Sequence, residues 1–139
     1  MNNSVAGKLH HVEIYVSDLK ISLAFWDWFL KKLGYEDFQN WDAGHSFRRE
    51  ETYIVFVQAE RRYLSTEFHR CHAGLNHLAF HAASRAQVDE MTNEVRAKGY
   101  TILYEDKHPF AGGEGYYALF CEDPERIKVE LVAPDEQSS

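Results

Sequence analysis

The sequence predicts an α+β chain made of two tandem βαβββ modules, and three observations carry that prediction. The order strand, helix, three strands can be read twice along the 139 residues. "LHHV" at 9–12 sets against "LNHL" at 75–78, placing His11 over His77 at a spacing of 66, while the "GY" pairs at 34 and 99 stand 65 apart. "YIVFVQA" at 53–59 sets against "IKVELVA" at 127–133, which puts Phe56 opposite Glu130.

The elements follow in order. Residues 10–16 alternate as a strand, so His11, Glu13 and Tyr15 share one face and His10 takes the other. Ser17 or Asp18 caps a helix over about 19–33, in which Leu19, Leu23, Phe25, Trp26, Phe29, Leu30 and Leu33 recur at helical spacing and Gly34 supplies the stop. Strands are predicted near 35–40, 45–49 and 52–59, separated by "DAG" and "RREE". The connection "ERRYLSTEFHRCHAG" leads to a strand at 75–82 that places His81 on the face of His77. Ser84 caps a second helix lined by Val88, Met91 and Val95 and stopped by Gly99. Strands near 101–105, 116–121 and 127–132 complete the module, with "KHPFAGGEG" as the loop between the first two.

Composition bounds the function. A 45% hydrophobic chain of this length suits one folded domain over 1–139, here made of module 8–60 and module 74–134. The net charge of −7, with no cluster of Lys and Arg, argues against a nucleic-acid partner or an anionic membrane surface. No apolar run approaches the roughly 20 residues that span a bilayer, and "MNNSVAGK" has no apolar signal core. Cys71 and Cys121 form no C-x-x-C pair. A cytoplasmic location is therefore expected.

"HHVEIYVSDL", "GLNHLAFHA" and "YYALFCEDPERIKVEL" together resemble the vicinal oxygen chelate superfamily, which includes glyoxalase I, fosfomycin-resistance transferases, extradiol dioxygenases and bleomycin-resistance proteins. The resemblance runs from about residue 8 to 134. It implies a glyoxalase-like fold, with the paired modules as a cupped, open β-barrel around a divalent metal. It also implies that His11, His77 and Glu130 are the metal ligands. Two imidazoles and a carboxylate leave coordination positions open for water and substrate oxygens, and they suit Zn, Mn, Fe, Co or Ni. A carboxylate in the apolar "IKVELVA" independently needs a partner if buried.

Glu13 and Tyr15 share the face of His11 and are the candidates for a catalytic base and phenol, with ion pairing of Glu13 as the plain alternative. His69, Arg70 and His72 are candidates for a cavity mouth, against a simple solvated loop, and His108, Gly112 and Gly113 lie in a loop with the flexibility of a lid. Two departures from the resemblance stand out. Phe56 occupies the place of the glyoxalase I branch's second glutamate, and "DPER" replaces a closing turn that usually carries glycine.

The expected function is a metal-dependent lyase, transferase or dioxygenase acting on a small oxygen-rich molecule. The competing reading is a metal-free binder that sequesters a drug or metabolite. The resemblance further implies a homodimer in which two chains share each site, although the linker of about 14 residues also permits pairing within one chain.

Overall fold

The computed structural model describes residues 5–135. The chain divides between Thr66 and Glu67 into two compact units, each holding, among the described residues, a single sheet and one α-helix.

The first unit contains β1 (His11–Val16), α1 (Leu19–Lys32), β2 (Glu36–Trp41), β3 (Gly44–Arg49) and β4 (Thr52–Gln58), and its sheet runs in the order β1-β4-β3-β2. Strand β1 pairs parallel to β4, and the other two pairings are antiparallel. Asp18 is the cap of α1, its Oδ1 accepting from the Ile21 amide at 3.1 Å. Gln58, at the end of β4, reinforces that start: its Oε1 accepts from Leu19 N at 2.9 Å and its Nε2 donates to Ser17 O at 2.9 Å. The buried side of α1 is aromatic, with Phe25, Trp26, Phe29 and Leu30 all shielded from solvent. Phe56 stacks on Trp26 with ring centroids 5.0 Å apart, so β4 meets the helix through this ring.

The second unit contains β5 (His77–His81), α2 (Arg85–Ala97), β6 (Ala118–Glu122) and β7 (Lys128–Val132), in the order β5-β7-β6. The repeated "GY" proves to be one helix-ending motif used twice. Gly34 and Gly99 take φ of 94° and 82°, and the following Tyr35 and Tyr100 amides donate back to Leu30 O and Val95 O, each at 3.0 Å.

At the head of α2, Ser84 Oγ accepts from Gln87 N at 3.1 Å while Gln87 Oε1 accepts from Ala83 N at 2.7 Å. This is a reciprocal cap. Ser84→Ala should therefore cost about 1 kcal/mol, read as a lower urea midpoint at unchanged slope. No change in midpoint would show that Gln87 carries the cap unaided.

Three expectations are corrected. The strand predicted over 101–105 does not form. Ile102 makes only an isolated bridge to Cys121, and the chain then turns away at Tyr104, whose φ of 55° lies outside the strand region. Lys107 and His108 both donate back to Tyr104 O, which closes a turn where the ladder would have continued.

The second correction is to the register of the repeat. His11 pairs with Tyr53, so Glu13 pairs with Val55; His77 pairs with Lys128, so Ala79 pairs with Glu130. The counterpart of Glu130 is therefore Val55, not Phe56. A slip of one residue reverses the face, and Phe56 belongs to the helix side. The third concerns His10. It lies before the first residue of β1, so strand alternation does not direct it away, and its Nδ1 stands 2.9 Å from His11 Nδ1. Among the described residues no helix is long and apolar enough to cross a membrane.

Candidate metal-binding site

In the second unit, parity and pairing place His77, Ala79 and His81 of β5 on the same sheet face as Lys128, Glu130 and Val132 of β7 and Phe120 of β6. The opposite face carries Val129, Leu131, Leu119 and Cys121, all fully buried, and β6 packs against α2. Glu130 is only 4% exposed. Its Oε1 lies 3.4 Å from His77 Nε2, and its Oε2 accepts a hydrogen bond from the Tyr116 phenol. That bond, followed by desolvation, pushes the Tyr116 pKa up to about 12, so the phenol remains a donor throughout the neutral range. Two donors held by one ion at about 2.1 Å and a tetrahedral angle stand about 3.4 Å apart. The His77–Glu130 pair fits that requirement.

Tyr116 was not among the expected residues. The signal was present, because continuing the alternation of β6 back from Phe120 and Ala118 puts Tyr116 in phase with the Glu130 face. Gly112 gives the ring its place: a Cβ there would meet Tyr116 Cδ1 at 2.3 Å. The glycine loop thus seats the phenol beside Glu130. Asn76, adjacent to His77, was also missed, and its Oδ1 lies 2.8 Å from His77 Nδ1.

In the first unit, His11, Glu13 and Tyr15 are exposed residues on one face of β1, in register with Tyr53, Val55 and Val57 of β4. The His11 ring lies flat on Tyr53, 4.7 Å between centroids and 3° between planes. With Nδ1 turned to His10, Nε2 is the nitrogen of His11 left for a ligand role. Among the described residues no three His, Cys, Asp or Glu side chains gather into one group, so what the structure brings together is His77 and Glu130, two of the three expected ligands.

A family model described as Glyoxalase/Bleomycin resistance protein/Dioxygenase superfamily matches residues 8–131. The chain belongs to this superfamily. It is 61% identical over 126 residues to the uncharacterized protein YqjT of Bacillus subtilis (strain 168), covering 91% of this chain and 98% of that one. A crystal structure from Bacillus halodurans, provisionally named a glyoxalase, shares 60% identity and a TM-score of 0.94 over 96% of this chain and 100% of that one. The fosfomycin resistance protein FosX from Listeria monocytogenes, solved as a mutant with Mn(II) and 1S,2S-dihydroxypropylphosphonic acid, has a TM-score of 0.67 at 22% identity, over 94% of this chain and 95% of that one. At that identity the likeness is one of fold.

Against the superfamily's usual closing turn, "DPER" keeps the shape and changes the residue. Arg126 takes φ of 70°, the conformation glycine adopts without strain, and Asp123 holds the turn by accepting from Glu125 N at 2.9 Å and Ile127 N at 2.7 Å. The Arg70 guanidinium is anchored through Nη1, which donates to Glu122 Oε2 at 2.5 Å and to Arg126 O at 3.0 Å. His69 and His72 stack on each other, with centroids 4.9 Å apart. Both cysteines are free, and burial, aided by Asp123 and Glu122, pushes the Cys121 thiol up to about 12, which removes it as a nucleophile.

Proposed function

We propose that this superfamily member is a divalent-metal-dependent enzyme acting on a small oxygen-rich molecule, with His11, His77 and Glu130 as protein ligands. The observation that carries the reading is the convergence of His77 Nε2 and Glu130 Oε1 at 3.4 Å on one strand face. A carboxylate this buried is costly unless a cation or hydrogen bonds compensate it, and a pure sequestering cavity has no use for the pair. An ion of Zn, Mn, Fe, Co or Ni bound there would supply Lewis acidity toward vicinal substrate oxygens.

The remaining roles fall to this chain's own groups. Tyr116 occupies Glu130 Oε2 and so leaves Oε1 for the ligand position. Glu13 and Tyr15 follow His11 on the same exposed face and offer a proton acceptor and a hydrogen-bond donor to a substrate held there. Val55, where the other unit has Glu130, supplies no second carboxylate, and this favours transferase or dioxygenase chemistry over the glyoxalase I type. Elemental analysis of gently purified protein, followed by substrate screening with the metal removed and restored, tests the reading. Ligand binding without turnover, indifferent to metal, would instead establish a sequestering protein, and turnover indifferent to metal would overturn the metal-dependent reading.

Histidine ligation has a pH signature. A ligating imidazole must be neutral, so protons compete with the ion for it. Affinity for Zn(II) should decline on acidification. Binding that stays constant down to about pH 5 would exclude histidine ligands.

A further inference from the structure

We propose that Asn76 is a positioning residue for His77: its side-chain amide, aimed by the main chain of Arg70, holds His77 as the Nδ1–H tautomer and turns the Nε2 lone pair toward Glu130. The consequence for metal affinity rests on the ligand reading above; the tautomer does not.

An asparagine amide has a donating end and an accepting end, and its surroundings decide which is which. Asn76 Nδ2 lies 3.1 Å from Arg70 O, a carbonyl that can only accept. The NH₂ end therefore faces Arg70, and Oδ1 is the atom 2.8 Å from His77 Nδ1. Because Oδ1 can only accept as well, Nδ1 must carry the hydrogen. In a neutral imidazole this leaves Nε2 without one.

That bare nitrogen faces Glu130 Oε1 at 3.4 Å, while Glu130 Oε2 is already taken by the Tyr116 hydroxyl. In the neutral ring two electron-rich atoms thus confront each other with no hydrogen between them, an arrangement that a cation relieves, whether a metal ion or a proton on Nε2. The opposite tautomer would satisfy Glu130 with Nε2–H and set the Nδ1 lone pair against Asn76 Oδ1.

The Arg70 carbonyl can orient Asn76 because its own residue is tied down. The Arg70 guanidinium bonds Glu122 Oε2 at 2.5 Å and Arg126 O at 3.0 Å, with side chains only 18% and 12% exposed for Arg70 and Glu122. The segment leading into β5 is fastened in this way to the turn between β6 and β7. Fixing the second ring nitrogen of a ligating histidine sets its tautomer and raises its basicity, and loss of such a partner typically costs 10–100-fold in metal affinity (roughly).

The test needs no metal for its first readout. Protein labelled with ¹⁵N-histidine and stripped of metal is taken to a pH at which its two-bond ¹⁵N–¹H correlations report neutral rings, with the His77 signals assigned by their loss in His77→Gln. The expected result is Nδ1–H, against the ordinary Nε2–H preference of a solvated, neutral histidine side chain. Asn76→Ala, at an exposed position and with folding verified by the amide spectrum, should shift His77 toward Nε2–H, whereas Asn76→Asp, which retains an acceptor, should preserve Nδ1–H. Zn(II) affinity should then fall about 10–100-fold in Asn76→Ala and less in Asn76→Asp.

An Nε2–H tautomer in the parent protein, or one that Asn76→Ala does not move, overturns the proposal. The two readings separate cleanly. An Asn76-dependent Nδ1–H tautomer in a protein that binds no Zn(II) upholds the positioning and removes the ligand assignment; Zn(II) binding lost in His77→Ala, with an Nε2–H ring in the metal-free protein, does the reverse.

Discussion

His77→Ala and Glu130→Ala should each lower divalent-ion affinity by more than about 100-fold, since loss of a mere second-layer partner already costs 10–100-fold. The two groups approach to 3.4 Å on one face of one sheet, and among the described residues no further His, Cys, Asp or Glu joins them to take over from either. His11→Ala should act with the same strength through the first unit. His10→Ala removes only the partner of His11 Nδ1 and should cost about tenfold or less. Calorimetric titration of metal-free protein measures all four. If His10→Ala abolishes binding and His11→Ala leaves it intact, the wrong histidine of the pair has been assigned. Mixing His11→Ala and His77→Ala chains extends the measurement to assembly: in a homodimer with sites shared between chains, mixed dimers regain one intact site. Verified subunit exchange without recovered binding would place each site within one chain.

The largest stability effect is expected at Phe56. Its ring is fully buried against Trp26, 5.0 Å between centroids, and Phe→Ala at such a site leaves a cavity worth about 3–5 kcal/mol. Val55→Ala, one residue away on the other face of β4, removes two methyl groups and should cost about 2 kcal/mol or less. Urea unfolding of the two variants compares them directly. A larger loss at Val55 than at Phe56 would mean that β4 presents the opposite face to the helix, and would restore Phe56 as the counterpart of Glu130.

That comparison marks the boundary between what was legible in the residues and what was not. Both helices could be read with their caps, because Asp18 and Ser84 bond amides three residues ahead and Gly34 and Gly99 turn the chain at once. The shared face of His77 and Glu130 was legible in part. Alternation assigns sides within each strand, but it cannot say which residue of β7 lies beside which residue of β5. The repeat seemed to settle this and erred by one residue at the last strand, since the two units differ in the length of the segments between their helices and their final strands.

What the sequence by itself determined is therefore everything carried by near neighbours: two βα starts, their caps and stops, the exposed face of His11, Glu13 and Tyr15, and the family phrases that matched over residues 8–131. Only the tertiary structure decided the rest. It turned the apolar 101–105 segment into a bridge and a turn, put Val55 in place of Phe56, and delivered Tyr116 and Asn76 to the two ends of the His77–Glu130 pair. The physical reason lies in the range of the interactions. A cap or a helix stop is a bond between residues a few positions apart, so local sequence specifies it; strand register and side-chain meeting points depend on closing long loops, and a shift of one residue there exchanges the two faces of the sheet.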